Sequence, residues 1–216
     1  MESPVLFTPE EVRVLACLVE KELTTPENYP LTMNALLAAC NQKTSRDPVV
    51  NYSQDTIQLA IQGLKERGFA RVVSGAEHRV PKYKHDLPFM FRLNPPQTAV
   101  LTVLMLRGPQ TVGEIRGRTD RMHEFASLDE VADTIRELSD HVGRRLVTEL
   151  ERLPGTKEPR FAHLLCGADA IPQSESPRSP SDGATASTIR AEVEALRAEL
   201  AELREEFRNF RKQFEG

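Results

Sequence analysis

The run Ser53-Gln54-Asp55-Thr56-Ile57-Gln58-Leu59-Ala60-Ile61-Gln62-Gly63-Leu64-Lys65-Glu66-Arg67-Gly68, continued by FARVVSG (69–75) and EHRVPKYKH (77–85), decides how this chain folds. Ser53 is an N-cap residue type. Ile57, Ala60, Ile61 and Leu64 follow it at the i, i+3, i+4, i+7 spacing of a helix with one buried face. Gly68 suits the helix end, where a left-handed backbone costs glycine nothing. The two later runs read as strands around a Ser-Gly-Ala turn. A helix leading into such a hairpin is the closing part of a winged helix, a helix-turn-helix variant with a β wing.

The residues upstream supply the rest of that unit. Thr8-Pro9-Glu10-Glu11 opens a helix, with Thr8 as cap, Pro9 in first position and Glu11 closing a capping box. Val12, Leu15, Ala16, Val19 and Leu23 form its buried stripe, and Thr25-Pro26 and Tyr29-Pro30 stop it. Met33, Leu36, Leu37 and Cys40 mark a second helix, followed by the loop NQKTSRDPVV (41–50).

Downstream the same order recurs at an interval of roughly 80 residues. Asn94-Pro95-Pro96-Gln97 caps a helix through Val100, Val103 and Leu104, ended by Gly108-Pro109. Thr111-Val112-Gly113-Glu114 is a capping box for a short helix. Ser127-Leu128-Asp129-Glu130 is another, leading into a face of Leu128, Val131, Ala132, Ile135, Leu138 and Val142. Leu146–Leu153 and Arg160–Leu165 flank a Pro154-Gly155 turn as a second wing. Phe89 and Phe91, in the joining segment DLPFMFRL (86–93), are expected to pack between the units.

The expected fold class is therefore mainly α with small β wings (α+β). Winged-helix domains at 1–92 and 93–167 are followed by a flexible linker at 168–187, rich in Ser, Pro and Ala, and a coiled-coil helix at 188–216. In that last segment Ile189, Val193, Leu196, Leu200, Leu203, Phe207, Phe210 and Phe214 alternate steps of four and three. With Ile189, Leu196, Leu203 and Phe210 at d, the e positions are all Arg (190, 197, 204, 211) and the g positions are Glu192, Glu199, Glu206 and Gln213. A parallel pair sets Glu against Arg, whereas an antiparallel pair sets like against like. Each exposed pair is worth only about 0.2–1 kcal/mol, yet swapping attraction for repulsion fixes the orientation. The reading is self-association as a parallel dimer through Val193, Leu196, Leu200, Leu203, Phe207 and Phe210. A trimer and a solitary amphipathic helix folding back are the alternatives.

Composition narrows the function. The 216 residues carry a net charge of −4, so the chain is not globally basic. No run reaches the roughly 18 apolar residues of a membrane span. The opening MESPVLFTPEEVR shows neither a basic start nor an apolar run, so no signal peptide and a cytoplasmic location are expected. Three cysteines without paired spacing fit a reducing compartment. Cys17, Cys40 and Cys166 read as small buried hydrophobes, and the five histidines show no metal-ligand spacing. Phosphate-cradling, dinucleotide-binding and nucleophile-elbow motifs are absent. No enzyme activity, metal or cofactor is expected.

Double-stranded DNA is the partner the winged-helix reading brings forward. Residues 56–85 hold six basic and two acidic side chains, a local excess in a first unit (1–92) that balances at 11 and 11. Lys43 and Arg46 before the third helix, and Arg79, Lys82 and Lys84 on the wing, are the candidate phosphate contacts. Gln54 and Gln58 are the candidate base readers. Arg116, Arg118, Arg121, Arg144 and Arg145 form the patch available to the second unit.

The sequence resembles the YceH-like family of uncharacterised bacterial proteins. The resemblance rests on Glu20-Lys21-Glu22, Thr25-Pro26, Tyr29-Pro30-Leu31, Asn34 and the block Ala39–Val49 (ACNQKTSRDPV). It continues through Val80–His85 (VPKYKH), Leu106–Thr111 (LRGPQT), Gly113-Glu114, Arg121–Phe125 (RMHEF) and Arg160–Leu165 (RFAHLL). It implies a tandem winged-helix fold and no established activity; a DNA-binding or regulatory role follows by analogy of fold alone. The dense polar block Asn41–Arg46 reads either as a phosphate or partner contact or as turn chemistry holding the loop. Tandem winged helices also resemble the segregation and condensation protein B type, which serves protein assembly. A protein-interaction scaffold with a protein partner and no direct DNA contact is thus the alternative function.

Overall fold

Thr8 starts helix α1 (Pro9–Thr24) through a reciprocal capping box: its hydroxyl accepts from the Glu11 N–H, and the Glu11 carboxylate accepts from the Thr8 N–H at 2.8 Å. The structure, a computed structural model, describes residues 6–74, 80–152 and 158–170. These belong to one unit, Met1–Pro172. After α1 come β1 (Leu31–Thr32), α2 (Met33–Cys40), α3 (Gln54–Glu66), β2 (Ala70–Val73) and β3 (Lys82–His85). A short α4 (Leu87–Phe91) leads to α5 (Pro95–Arg107), α6 (Val112–Thr119), α7 (Leu128–Ser139), β4 (Val147–Glu149) and β5 (Phe161–His163). The fold is α+β. A three-stranded antiparallel sheet of order β1-β3-β2 serves the first half and the β4-β5 ladder the second.

The two halves share one core. Leu15, Leu18, Ile57 and Leu64 from the first half and Leu101, Leu104, Ile115 and Leu138 from the second belong to one continuous buried cluster. Helix α1 packs against α2 and α3 and also against α5. All of Glu11–Val19 is consequently buried, where periodicity predicts a single stripe. Burying a Leu or Ile contributes roughly 1.5–3 kcal/mol each, so this shared surface is the main cohesion between the halves. Backbone bonds reinforce it: the Asp47 N–H donates to the Leu106 carbonyl and the Phe7 N–H to the Leu165 carbonyl, both at 2.9 Å.

Several side chains depart from expectation for identifiable reasons. Leu23, placed on the α1 stripe, lies at the helix end beyond the buried run and is exposed. Leu128 is the first residue of α7 and is exposed, and Val142 lies past the helix end at Ser139. Glu130 reaches the Ala126 N–H at 2.8 Å, one residue before the N-cap Ser127. Phe91 packs on Phe69, with centroids 4.9 Å apart, and the Arg144 guanidinium stands 5.3 Å over its ring, so it does bridge the halves. Phe89 instead faces solvent, 82% exposed. Of the expected linker, Ala168–Ala170 form one turn of 3-10 helix. The rest of it, and the coiled-coil positions Val193, Leu196, Leu200, Leu203, Phe207 and Phe210, lie outside the described residues.

Candidate nucleic-acid interface

Helix α3 carries the candidate base readers. The Ser53 hydroxyl accepts from the Thr56 N–H at 3.1 Å and fixes the helix start. Ile57, Ala60, Ile61 and Leu64 are buried, which turns Gln54, Asp55, Gln58, Leu59 and Gln62 outward. Gln54 and Gln58 stand one turn apart and bond to no other described side chain, while Gln62 donates to Glu66 at 3.1 Å. Leu59 sits on the same face, 70% exposed.

The wing lysines lie on β3, the central strand of the first sheet. Successive side chains alternate between faces. His85 is buried, with Nε2 2.7 Å from the Glu22 carboxylate and Nδ1 accepting from the Leu87 N–H at 3.2 Å. The His85 contact holds the Glu22 carboxyl below its ordinary range, against the opposing effect of burial. Tyr83 packs on the core with His85, so Lys82 and Lys84 project from the opposite face. Directly across from Lys84 is Arg71, which pairs with Asp86 at 2.8 Å. Lys82 and Lys84 form no ion pair within 4 Å among the described residues. Arg79 lies outside the described residues.

The loop from Asn41 holds one free cation and one committed one. Lys43 is exposed. Arg46 is not available for phosphate: its side chain is 0% exposed and grips Glu20 with two nitrogens, at 2.6 and 3.0 Å. It also donates to the carbonyls of Ala39 at 3.1 Å and Ser45 at 2.9 Å. Asn41 clamps the far side, accepting from the Tyr52 N–H at 2.7 Å and donating to the Tyr52 carbonyl at 2.9 Å. Arg13, from within α1, donates to the Pro48 carbonyl at 2.7 Å. The polar block is therefore largely turn chemistry, and Arg13 and Asn41 are loop-holding residues that periodicity did not mark.

The structure brings Lys82 with Lys84 on one sheet face and Gln54 with Gln58 on one helix face. No hydrogen bond or ion pair among the described residues links the two groups. The second half does not repeat the pattern. The exposed positions of α7 are Leu128, Asp129, Asp133, Arg136 and Glu137, three carboxylates against one guanidinium, and Arg136 is itself bound to Asp133. Arg116 is spent on the Phe125 and Ala126 carbonyls, and Arg118 on Glu114 at 3.2 Å. Arg121 and Arg145 are exposed.

Cys17 and Cys40 are buried neighbours in the first half. Burial alone would raise the Cys17 thiol, but the Cys40 thiol and the Arg46 guanidinium bring it below the ordinary range; Cys17 and burial raise Cys40. Burial pushes the Cys166 thiol up to about 11. Among the described residues no group of three His, Cys, Asp or Glu side chains could hold a metal ion. No described helix is long and apolar enough to cross a membrane.

A repeated arrangement of three helices and a hairpin, with one outward basic strand and one polar helix face, makes the described residues an α+β fold of that type. The chain belongs to the family described as "Protein of unknown function, DUF480", whose profile matches residues 7–156. It is similar to a UPF0502 protein of Koribacter versatilis, 45% identical over 193 residues that cover 87% of this chain and 89% of the relative. A UPF0502 protein of Opitutus terrae is 51% identical over 165 residues, covering 76% of this chain and 72% of the relative. The UPF0502 protein YceH of Escherichia fergusonii is 42% identical over 197 residues, covering 88% of each chain.

Proposed function

We propose that the chain is a non-enzymatic, cytoplasmic DNA-binding protein of the tandem winged-helix type, acting as a parallel coiled-coil dimer. Helix α3 enters the major groove with Gln54 and Gln58 toward base edges, where amide side chains suit adenine. Lys43, Lys82 and Lys84 contact backbone phosphates. The observation that carries this reading is the pair Lys82 and Lys84 on one face of β3, with no carboxylate within 4 Å among the described residues, in the same half as a capped α3 whose outward Gln54 and Gln58 are unbonded. Arg46 has no part in it, and the acidic outer face of α7 keeps the second half off the phosphates.

Fluorescence anisotropy of the full chain with mixed-sequence duplex DNA across a salt series tests the proposal. Three phosphate contacts per protomer predict a log–log slope of about −3 per protomer. Lys82→Glu should weaken binding to unrelated sequences alike. No binding at low salt to mixed or randomised duplexes, or an affinity indifferent to salt, contradicts it. The scaffold reading, with a protein partner in place of DNA, draws on the exposed Leu59 in the middle of the α3 face and on the acidic α7. It takes over if no duplex binds at low salt.

A further inference from the structure

We propose that the groove between α1, α5 and α6 binds a small phosphate dianion or phosphomonoester, at a site separate from the DNA-facing surface. The groove encloses about 230 Å³. Lys21, Arg107, Arg118 and Arg121 line it, against the carboxylates of Glu20 and Asp120. Glu20 is already committed, with both oxygens held by Arg46 and one of them 3.8 Å from Lys21. Arg118 has its own partner in Glu114, at 3.2 Å. Arg107 and Arg121 have no carboxylate within 4 Å among the described residues.

Arg107 is the centre of the site. It is the last residue of α5, where the helix dipole favours a cation. The charges that act on it are the guanidinium groups of Arg118 and Arg46 and, in the opposite sense, the Glu20 carboxylate. Burial first, and then those two guanidinium groups, lower its affinity for its proton. Arginine stays charged under all ordinary conditions; Arg118 and Arg46 are paired with Glu114 and Glu20, which leaves the half-buried Arg107 and the exposed Arg121 as the guanidinium groups with donors to offer an anion. Guanidinium groups take phosphate oxygens through paired hydrogen bonds. Val103, Leu106 and Met122 line the same groove and give an organic group an apolar wall. A cavity of roughly 150 Å³ accommodates benzene, so this volume suits a phosphate with a ring-sized substituent. None of Lys43, Gln54, Gln58, Lys82 and Lys84 lines the groove, so the site stands independently of the DNA reading.

Titration calorimetry of the full chain at neutral pH and low salt, with inorganic phosphate and phenyl phosphate as probes, tests the site. The expected result is saturable binding of phenyl phosphate at one site per chain. Arg107→Gln should weaken it about tenfold or more, and the exposed Arg121→Gln should weaken it in the same direction without the folding risk. Arg136→Gln, which removes a charge from α7, should leave it unchanged, and duplex DNA affinity should be unchanged in Arg107→Gln. No saturable binding of either probe up to about 10 mM, or wild-type binding by both groove variants, overturns the proposal. Loss of DNA binding without loss of phenyl phosphate binding in Arg107→Gln also overturns it.

Discussion

Arg46 donates to both oxygens of Glu20 and to the Ala39 and Ser45 carbonyls from a fully buried position. Arg46→Ala leaves the largely buried Glu20 carboxylate without its main partner, and removing one member of such a pair costs about 3–5 kcal/mol. Lys43→Ala, three residues earlier but exposed, should stay within about 0.5 kcal/mol. Urea denaturation of the two variants checks the contrast, and equal effects would refute the brace. His163 supplies a pH dependence. Its Nδ1 accepts from the Leu165 N–H at 3.3 Å, and burial lowers its pKa from 6.5 to about 4. The fold favours the neutral ring, so this stabilisation is complete above pH 6.5 and is lost as pH falls toward 4. Between pH 7 and pH 5 the loss amounts to about 2 kcal/mol. His163→Gln should flatten the change in melting temperature over that interval; an unchanged pH profile would contradict the assignment. Residue types alone did not separate Lys43 from Arg46, because both are cations in one polar loop and only the fold shows which one meets Glu20.

At the scale of elements the caps were legible. Thr8, Ser53, Asn94, Thr111 and Ser127 each accept the predicted backbone N–H. This is local chemistry, complete within four residues. Strand β1 was not legible, since two residues cannot display a period of two. The breadth of burial on α1 was not legible either, because it depends on α5, which lies about 80 residues away along the chain. The α3 face was readable from Ile57, Ala60, Ile61 and Leu64 alone, and with it the positions of Gln54 and Gln58. Gln58→Ala should therefore relax sequence preference by about 1–3 kcal/mol at one base pair and leave the salt slope unaltered. Competition among randomised duplexes measures this. A change in slope with no change in preference would place Gln58 on a phosphate instead.

At the scale of the molecule, one core joins both halves, while the outward side of β3 is basic and the outer face of α7 is mainly acidic. The basic excess was countable within residues 56–85, but the acidic outer face of α7 became apparent only when burial assigned its sides. The heptads after residue 188 predict that the full chain sediments as a dimer and that a chain ending at Pro172 sediments as a monomer with weaker DNA affinity, through loss of effective concentration. A dimeric truncated chain would contradict that role. The central claim, that the first half alone faces DNA, is tested most directly by hydrogen–deuterium exchange of the full chain with and without duplex. The account predicts new protection at residues 51–60 and 80–85 and none at 127–140. Protection confined to α7, or none at either place under conditions where duplex is bound, would contradict it.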